Sequence, residues 1–427
     1  MGMDTTLANR AVIVLVAIIG AAASPAPATA AAKRADVTLK TVDVGEPGNQ
    51  SVAIVPFTDA IYESCDDVSP PASDCISVGG VDYPYGIGRL EITVEQWVDF
   101  LNTVDPGGRN RRHLYSPTQS SSNWPRYGAI NKSSSEPDGQ HFSIAHPEWA
   151  DKPYGFATFV HAARFANSLG NGRVLSKRVS EENGVEVTRY RVRLATQTER
   201  GMYDLARDRK AGATREDDTG FVVPSQDEWI KAAYYDPAGG GTFSYWKYPT
   251  NPGTFGTGGP PSAASQADGP NQSTLDPTTG DVANAATQPL ATFHVSGGAA
   301  PSWCPAAEDP DDCSSVNPFG FDPTIYAELY QGSVGTVGQA GTPSPWGTLD
   351  QGGNVVEWTD TITASPAGNT EGRVWRRLHG GIANAPAYQL WLSAVGLQPQ
   401  TNPFYGLTYP WLGIRIGVIG DLKPAGR

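Results

Sequence analysis

The residues best suited to chemistry lie in one glycine-framed loop, Ser344-Pro-Trp-Gly-Thr-Leu-Asp-Gln-Gly-Gly-Asn-Val-Val-Glu-Trp358. It carries two carboxylates, Asp350 and Glu357, among three glycines and two tryptophans. Glycine tolerates positive φ and close backbone approach, so main-chain carbonyls can converge there with the two acids. Hard oxygens gathered on a bent backbone are what calcium requires. The same residues also suit a tight buried turn whose acids accept hydrogen bonds from backbone amides. Residue types alone leave both readings open.

Several elements must hold this loop in place. Ser51–Pro56 alternates as a strand, and Tyr85–Ile92 reads as a strand entering a helix. Thr93-Val-Glu-Gln96 is a capping box for that helix. Val94, Trp97, Val98 and Leu101 then recur at helical spacing as one apolar face. A second helix is predicted from about Thr158 to Leu169, with Gly170 as its C-terminal cap and His161 structural. Residues 173–220 form a charged, solvated segment with a hairpin at Glu182-Asn-Gly184. Ser225-Gln-Asp-Glu228 is another capping box, and Trp229, Ala232 and Ala233 continue its helix. Glycine and proline dominate residues 236–345, which predicts irregular backbone. Few helices, short strands and long loops indicate a loop-rich α+β class with motifs spread along a single fold.

The chain starts with an export signal: Arg10, the apolar run Ala11–Ala23, and the cleavage site Ala28-Thr29-Ala30. That run is short for a bilayer span, and no second apolar stretch of membrane length follows. The expected organisation is a signal peptide over 1–30, an N-terminal strand and disulfide loop over 31–80, and the main domain over 81–420. The mature protein is expected outside the cytoplasm, secreted or periplasmic, with no membrane insertion after cleavage. Four cysteines form sequence-local pairs, predicting disulfides Cys65–Cys75 and Cys304–Cys313 in an exported chain. Neither pair has CxxC spacing or a nearby histidine, which argues against zinc. A net charge of −13 disfavours nucleic-acid and anionic-membrane partners. Sequons at Asn49, Asn131 and Asn271 matter only in a glycosylating host, and the composition reads as bacterial.

In order along the chain, these segments resemble the formylglycine-generating enzyme family, the sulfatase-modifying factor domain. Tyr85–Trp97 is similar to the family's opening strand and helix, and Lys152-Pro153 with Ala162–Asn167 to its second helix. Val223–Trp229 with Ala232-Ala233 matches a further helix start. Gly353–Trp358, His379-Gly-Gly381 and Gly413–Ile416 stand for three glycine-bearing motifs. The resemblance implies a C-type-lectin-like fold with little regular secondary structure, stabilised by calcium. It also implies a calcium ligand set at the loop: Asp350, Gly353, Val355 and Glu357. A second calcium site is not placed, although Asn284 is a candidate ligand.

Family enzymes oxidise a substrate cysteine using two cysteines that bind copper. Thiolates suit Cu(I), and oxygen or amide ligands do not replace them. This chain has no cysteine between Arg376 and Arg415. By motif spacing the thiol positions fall at Ala385 and Leu390, and the serine after the paired glycines is Ile382. No copper is expected, and no formylglycine chemistry by the family's route. The favoured expectation is an exported, calcium-stabilised binding or accessory module, with an exported protein, glycan or small molecule as partner. The alternative is a tailoring oxidoreductase using the same groove, with His379, near Arg376 and Arg377, as the weak catalytic candidate. A true formylglycine-generating oxidase is the least favoured.

Overall fold

The computed structural model describes residues 34–54, 75–120, 129–208, 212–239, 244–251, 270–273, 276, 281–285, 289–292, 334–364, 373–383, 390–392, 394–400 and 411–424. The chain divides into two units, Met1–Ala31 and Ala32–Arg427, and every described residue belongs to the second. The signal segment, Cys65, Cys304, Cys313 and Ala385 lie outside the described residues. So do both predicted disulfide pairings, although Cys75 itself carries no free thiol.

In chain order come strands β1 (Asp36–Val44), β2 (Val52–Ile54), β3 (Ile76–Val78) and β4 (Tyr85–Gly88), then helix α1 (Val94–Val104). Strands β5 (Ile130–Lys132) and β6 (Phe142–Ile144) precede helix α2 (Phe159–Gly170). A long hairpin, β7 (Arg173–Glu182) and β8 (Val185–Arg193), leads to the one-turn helix α3 (Leu205–Asp208). Next are β9 (Gly220–Val222), helix α4 (Gln226–Tyr234), and the short pair β10 (Asn271–Gln272) and β11 (Leu290–Ala291). The last five strands are β12 (Val356–Thr363), β13 (Trp375–His379), β14 (Gly396–Pro399), β15 (Leu412–Gly413) and β16 (Gly417–Ile419).

Two sheets carry most of the order. The larger runs β7-β8-β1-β4-β16-β9, and all its pairings are antiparallel. The smaller runs β14-β13-β12-β15, with β12 and β15 parallel. Helix α4 packs on β12 and β13 and so forms the wall of the glycine loop. Among the described residues no helix is long and apolar enough to cross a membrane.

Local chemistry explains the helices. The Thr93 hydroxyl accepts from the Gln96 amide at 3.3 Å, and Gln96 Oε1 accepts from the Thr93 amide at 2.9 Å. Ser225 and Glu228 repeat this arrangement at the start of α4. Each box satisfies amides that the first turn leaves without partners, an effect of about 1 kcal/mol. The apolar face of α1 is buried as its spacing predicts, and Trp97 stacks on Tyr154 at 4.2 Å and 11°. At the hairpin, Asn183 and Gly184 both take positive φ, 56° and 77°, the requirement of a two-residue turn that matches strand twist.

Two expectations differ from the structure. Helix α2 does not end on a left-handed Gly170; Gly170 is its last helical residue, and Asn171 follows with φ −76°. The glycine this corner needs is Gly172, where an added Cβ would lie 2.3 Å from the Arg193 carbonyl oxygen. The second difference is β1, a central strand of the large sheet that the sequence reading did not pick out. Its alternation shifts phase where Thr41 and Val42 are both buried, which blunts a period-two signal.

Candidate functional site

The loop is built against α4 and two backbone neighbours. The Ser344 hydroxyl donates to the Ala232 carbonyl at 2.8 Å, and Gln351 Nε2 donates to the Trp229 carbonyl at 3.2 Å. The Thr348 hydroxyl links the two by bonding Gln351 Oε1. Gly353 lies at φ +89°, its amide donating to the Gly380 carbonyl at 2.6 Å. The next amide, of Asn354, donates to the Thr292 carbonyl at 2.8 Å. Thr292 passes so close that a Cβ on Gly353 would lie 2.0 Å from its carbonyl oxygen. Only glycine fits between these two strands of backbone.

Three carboxylates surround the loop, and their surroundings differ sharply. Glu357 is fully buried and faces Arg415, itself fully buried. Arg415 Nε approaches Glu357 Oε2 at 2.8 Å, and one terminal nitrogen approaches Oε1 at 2.6 Å. Trp229 Nε1 donates to Glu357 Oε2 at 2.6 Å. Two further guanidinium hydrogens reach the Gly88 and Leu349 carbonyls at 2.8 and 2.9 Å. In this bidentate pair both carboxylate oxygens have donors and every guanidinium nitrogen has an acceptor. Asp350 sits in the left-handed region at φ 57° and accepts from the Gly338 amide. Burial pushes its carboxyl up to about 6.

Glu91 is the third acid and was missed by sequence reasoning. It is 2% exposed, and neither carboxylate oxygen has a hydrogen-bond partner among the described residues. Burial, and after it the Asp350 charge, pushes its carboxyl well above the usual carboxylate range. Glu91 stands in Leu90-Glu91-Ile92, where a lone charge between apolar neighbours was the available signal. Among the described residues no three His, Cys, Asp or Glu side chains are grouped to hold a metal ion. The loop therefore fits calcium in part. Asp350 and the loop carbonyls of Gly353 and Val355 suit a hard cation, whereas Glu357 is already engaged by Arg415 and Trp229. Asn284 Nδ2 donates to the Gln272 carbonyl at 3.0 Å.

Beside the loop lies a groove lined in part by His379 and Ile382. His379, on β13, is the register partner of Glu357. Its ring stacks on Trp229 at 5.2 Å and 23° and is 1% exposed. Neither ring nitrogen has a hydrogen-bond partner among the described residues. With Val356, Ile382, Leu397, Trp411 and others, His379 lines a cavity of about 210 Å³. Leu390, which motif spacing sets at one thiol position, is buried in a cluster with Tyr248, Ala291, Trp391 and Ala394. Its carbonyl accepts from the Tyr234 hydroxyl at 2.9 Å. Arg376 is turned to structural work. Its guanidinium lies 3.5 Å from the Phe159 ring centroid and bonds the Asp360 and Ala213 carbonyls and Gln400.

Burial, and then the neighbouring Arg377 charge, pushes His379 down to about 3. The imidazole is therefore neutral near pH 7 and a weak proton acceptor there. Its value in the unfolded chain is about 6.5, so the folded value is depressed. As pH falls below about 6.5 the unfolded chain takes up the proton first, and stability is lost towards pH 3. Compared with His379→Phe, the wild type should lose about 2 kcal/mol more between pH 8 and pH 5. Denaturant titrations of both proteins at the two pH values check this; equal losses would refute the assignment.

The chain matches the family model described as sulfatase-modifying factor enzyme 1-like domain over residues 79–385. No curated protein matches it. Among solved structures, variable protein 1 of Treponema denticola is 15% identical, covering 90% of this chain and 99% of that one, with a TM-score of 0.39. CarF has the same identity and coverage, with a TM-score of 0.40. PvdO from Pseudomonas aeruginosa is 10% identical, covering 89% and 94%, with a TM-score of 0.35. Four helices, short sheets and long loops among the described residues fit the C-type-lectin-like fold of formylglycine-generating enzymes. With its motifs matched over most of its length, the chain belongs to the sulfatase-modifying factor, or formylglycine-generating enzyme-like, family.

Proposed function

We propose that this protein is an exported family member that does not generate formylglycine and acts as a calcium-stabilised binding or accessory module. One observation carries the reading. The scaffold contacts around Glu357, Trp229 and Arg415 are complete, while one thiol position is Leu390, packed among Tyr248, Trp391 and Ala394. The other is Ala385, and neither side chain can ligate Cu(I). The signal segment and paired cysteines support export, and the loop oxygens support calcium. Its partner is an exported protein, a glycan or a small molecule, and the net charge of −13 argues against nucleic acid. Incubated with Cu(I) and a peptide bearing a CxPxR motif, the protein should leave the cysteine unchanged by mass spectrometry. Conversion of that cysteine to formylglycine would overturn the reading.

A second reading has its own observation, the unpartnered imidazole of His379 lining a cavity of about 210 Å³. It makes the protein a tailoring oxidoreductase of different chemistry. Stoichiometric iron or copper in the purified protein, with turnover lost in His379→Ala, would favour it over the binding module.

A further inference from the structure

The loop's charges do not balance. Glu91, Asp350 and Glu357 are each at most 8% exposed, and Arg415 is the cation buried among them. Three carboxyl groups against one guanidinium leave two acids without a counter-charge in a region closed to water. Arg415 is committed to Glu357, with three contacts of 2.6–3.0 Å to its two oxygens. Trp229 adds a third N–H to the same carboxylate. A divalent cation placed on Glu357 would have to displace donors that already satisfy it, and would face the guanidinium at short range.

Glu91 presents the opposite situation. Its two oxygens are buried and, among the described residues, without donors, an arrangement that folded proteins avoid because an unpaired buried charge is costly. Backbone pairing brings it level with the loop. The Leu349 amide donates to the Arg89 carbonyl at 2.8 Å, and the Ile92 amide donates to the Ile414 carbonyl at 2.8 Å. Glu91 is thus flanked by the segment leading into Asp350 and the segment leading into Arg415. Asp350 has one oxygen bonded by the Gly338 amide and keeps acceptor capacity on the other.

We propose that the cation bound at this loop is held by Glu91 together with Asp350, while Glu357 serves as the counter-ion of Arg415. The ligand class is a hard divalent cation, calcium, with backbone carbonyls completing the oxygen shell. The inference rests on the reading of the loop as a calcium site and changes which side chains make it. It also gives the two acids that lack a counter-charge a common partner.

The test uses the full mature chain, stripped with chelator and titrated with calcium by calorimetry and thermal unfolding. Wild type should bind calcium and unfold at higher temperature with it. Glu91→Gln and Asp350→Asn should each weaken binding by about tenfold or more and lose most of the calcium-dependent shift. Glu357→Gln should unfold at lower temperature throughout yet keep that shift. Should Glu357→Gln fail to fold, Glu91→Gln, which preserves shape, still decides the matter. Wild-type affinity in Glu91→Gln would overturn the inference while leaving a calcium site at the loop. A wild type that ignores calcium would remove the loop reading and the inference together.

Discussion

Replacing Arg415 with methionine should destabilise the chelator-treated protein by about 3–5 kcal/mol, read as a fall in denaturant midpoint at unchanged m-value. The methylenes of the side chain are retained, so the loss is electrostatic rather than a cavity. Glu357 would remain fully buried with Trp229 Nε1 as its one strong donor. The Gly88 and Leu349 carbonyls would lose their partner as well. Orphaning one half of a buried pair costs far more than the pair contributes. The double variant Arg415→Met, Glu357→Gln should therefore recover part of the loss by removing the uncompensated charge. If the single variant lost less than about 1 kcal/mol, the pair would be no more than a surface-grade contact.

The second large effect is expected at a backbone contact. Gly353→Ala should destabilise the fold by about 3 kcal/mol or more. The new Cβ would lie 2.0 Å from the Thr292 oxygen and 2.8 Å from its carbonyl carbon, and neither atom is a flexible tip. The residue is also held at φ +89°, a conformation that costs an alanine about 1–2 kcal/mol by itself. Gly184→Ala separates the two causes. It has φ +77° and nothing within 4 Å of an added Cβ, so only the conformational cost of about 1 kcal/mol should appear. Equal losses in the two variants would show that Thr292 yields, and that the loop is not clamped as the hydrogen bonds indicate.

These two sites also mark how far the sequence could be read. The capping boxes at Thr93 and Ser225 and the Asn183-Gly184 turn were legible, because their hydrogen bonds join residues no more than four apart. The absence of cysteine between Arg376 and Arg415 was legible from residue type alone, and alanine and leucine, at the positions motif spacing assigns, offer copper nothing. The loop too stood out by composition. Its carboxylates could be found but not assigned, because their partners are remote. Trp229 is 128 residues from Glu357, and Arg415 is 58 residues from it.

By itself, then, the sequence determined the family, the class of fold, the helix starts and the absence of cysteine between Arg376 and Arg415. These depend on residue identity or on chemistry within one turn of chain. Only the tertiary structure decided that Glu357 is neutralised by Arg415 and that Leu390 is sealed among aromatic and small side chains. It alone showed Glu91 buried with no donor among the described residues. Whether an acid in a glycine loop is a metal ligand, a counter-ion or an orphan depends on which donors and charges the fold brings to its oxygens. Burial makes that choice consequential, because in a water-free site every missing partner has a cost that solvent would otherwise offset.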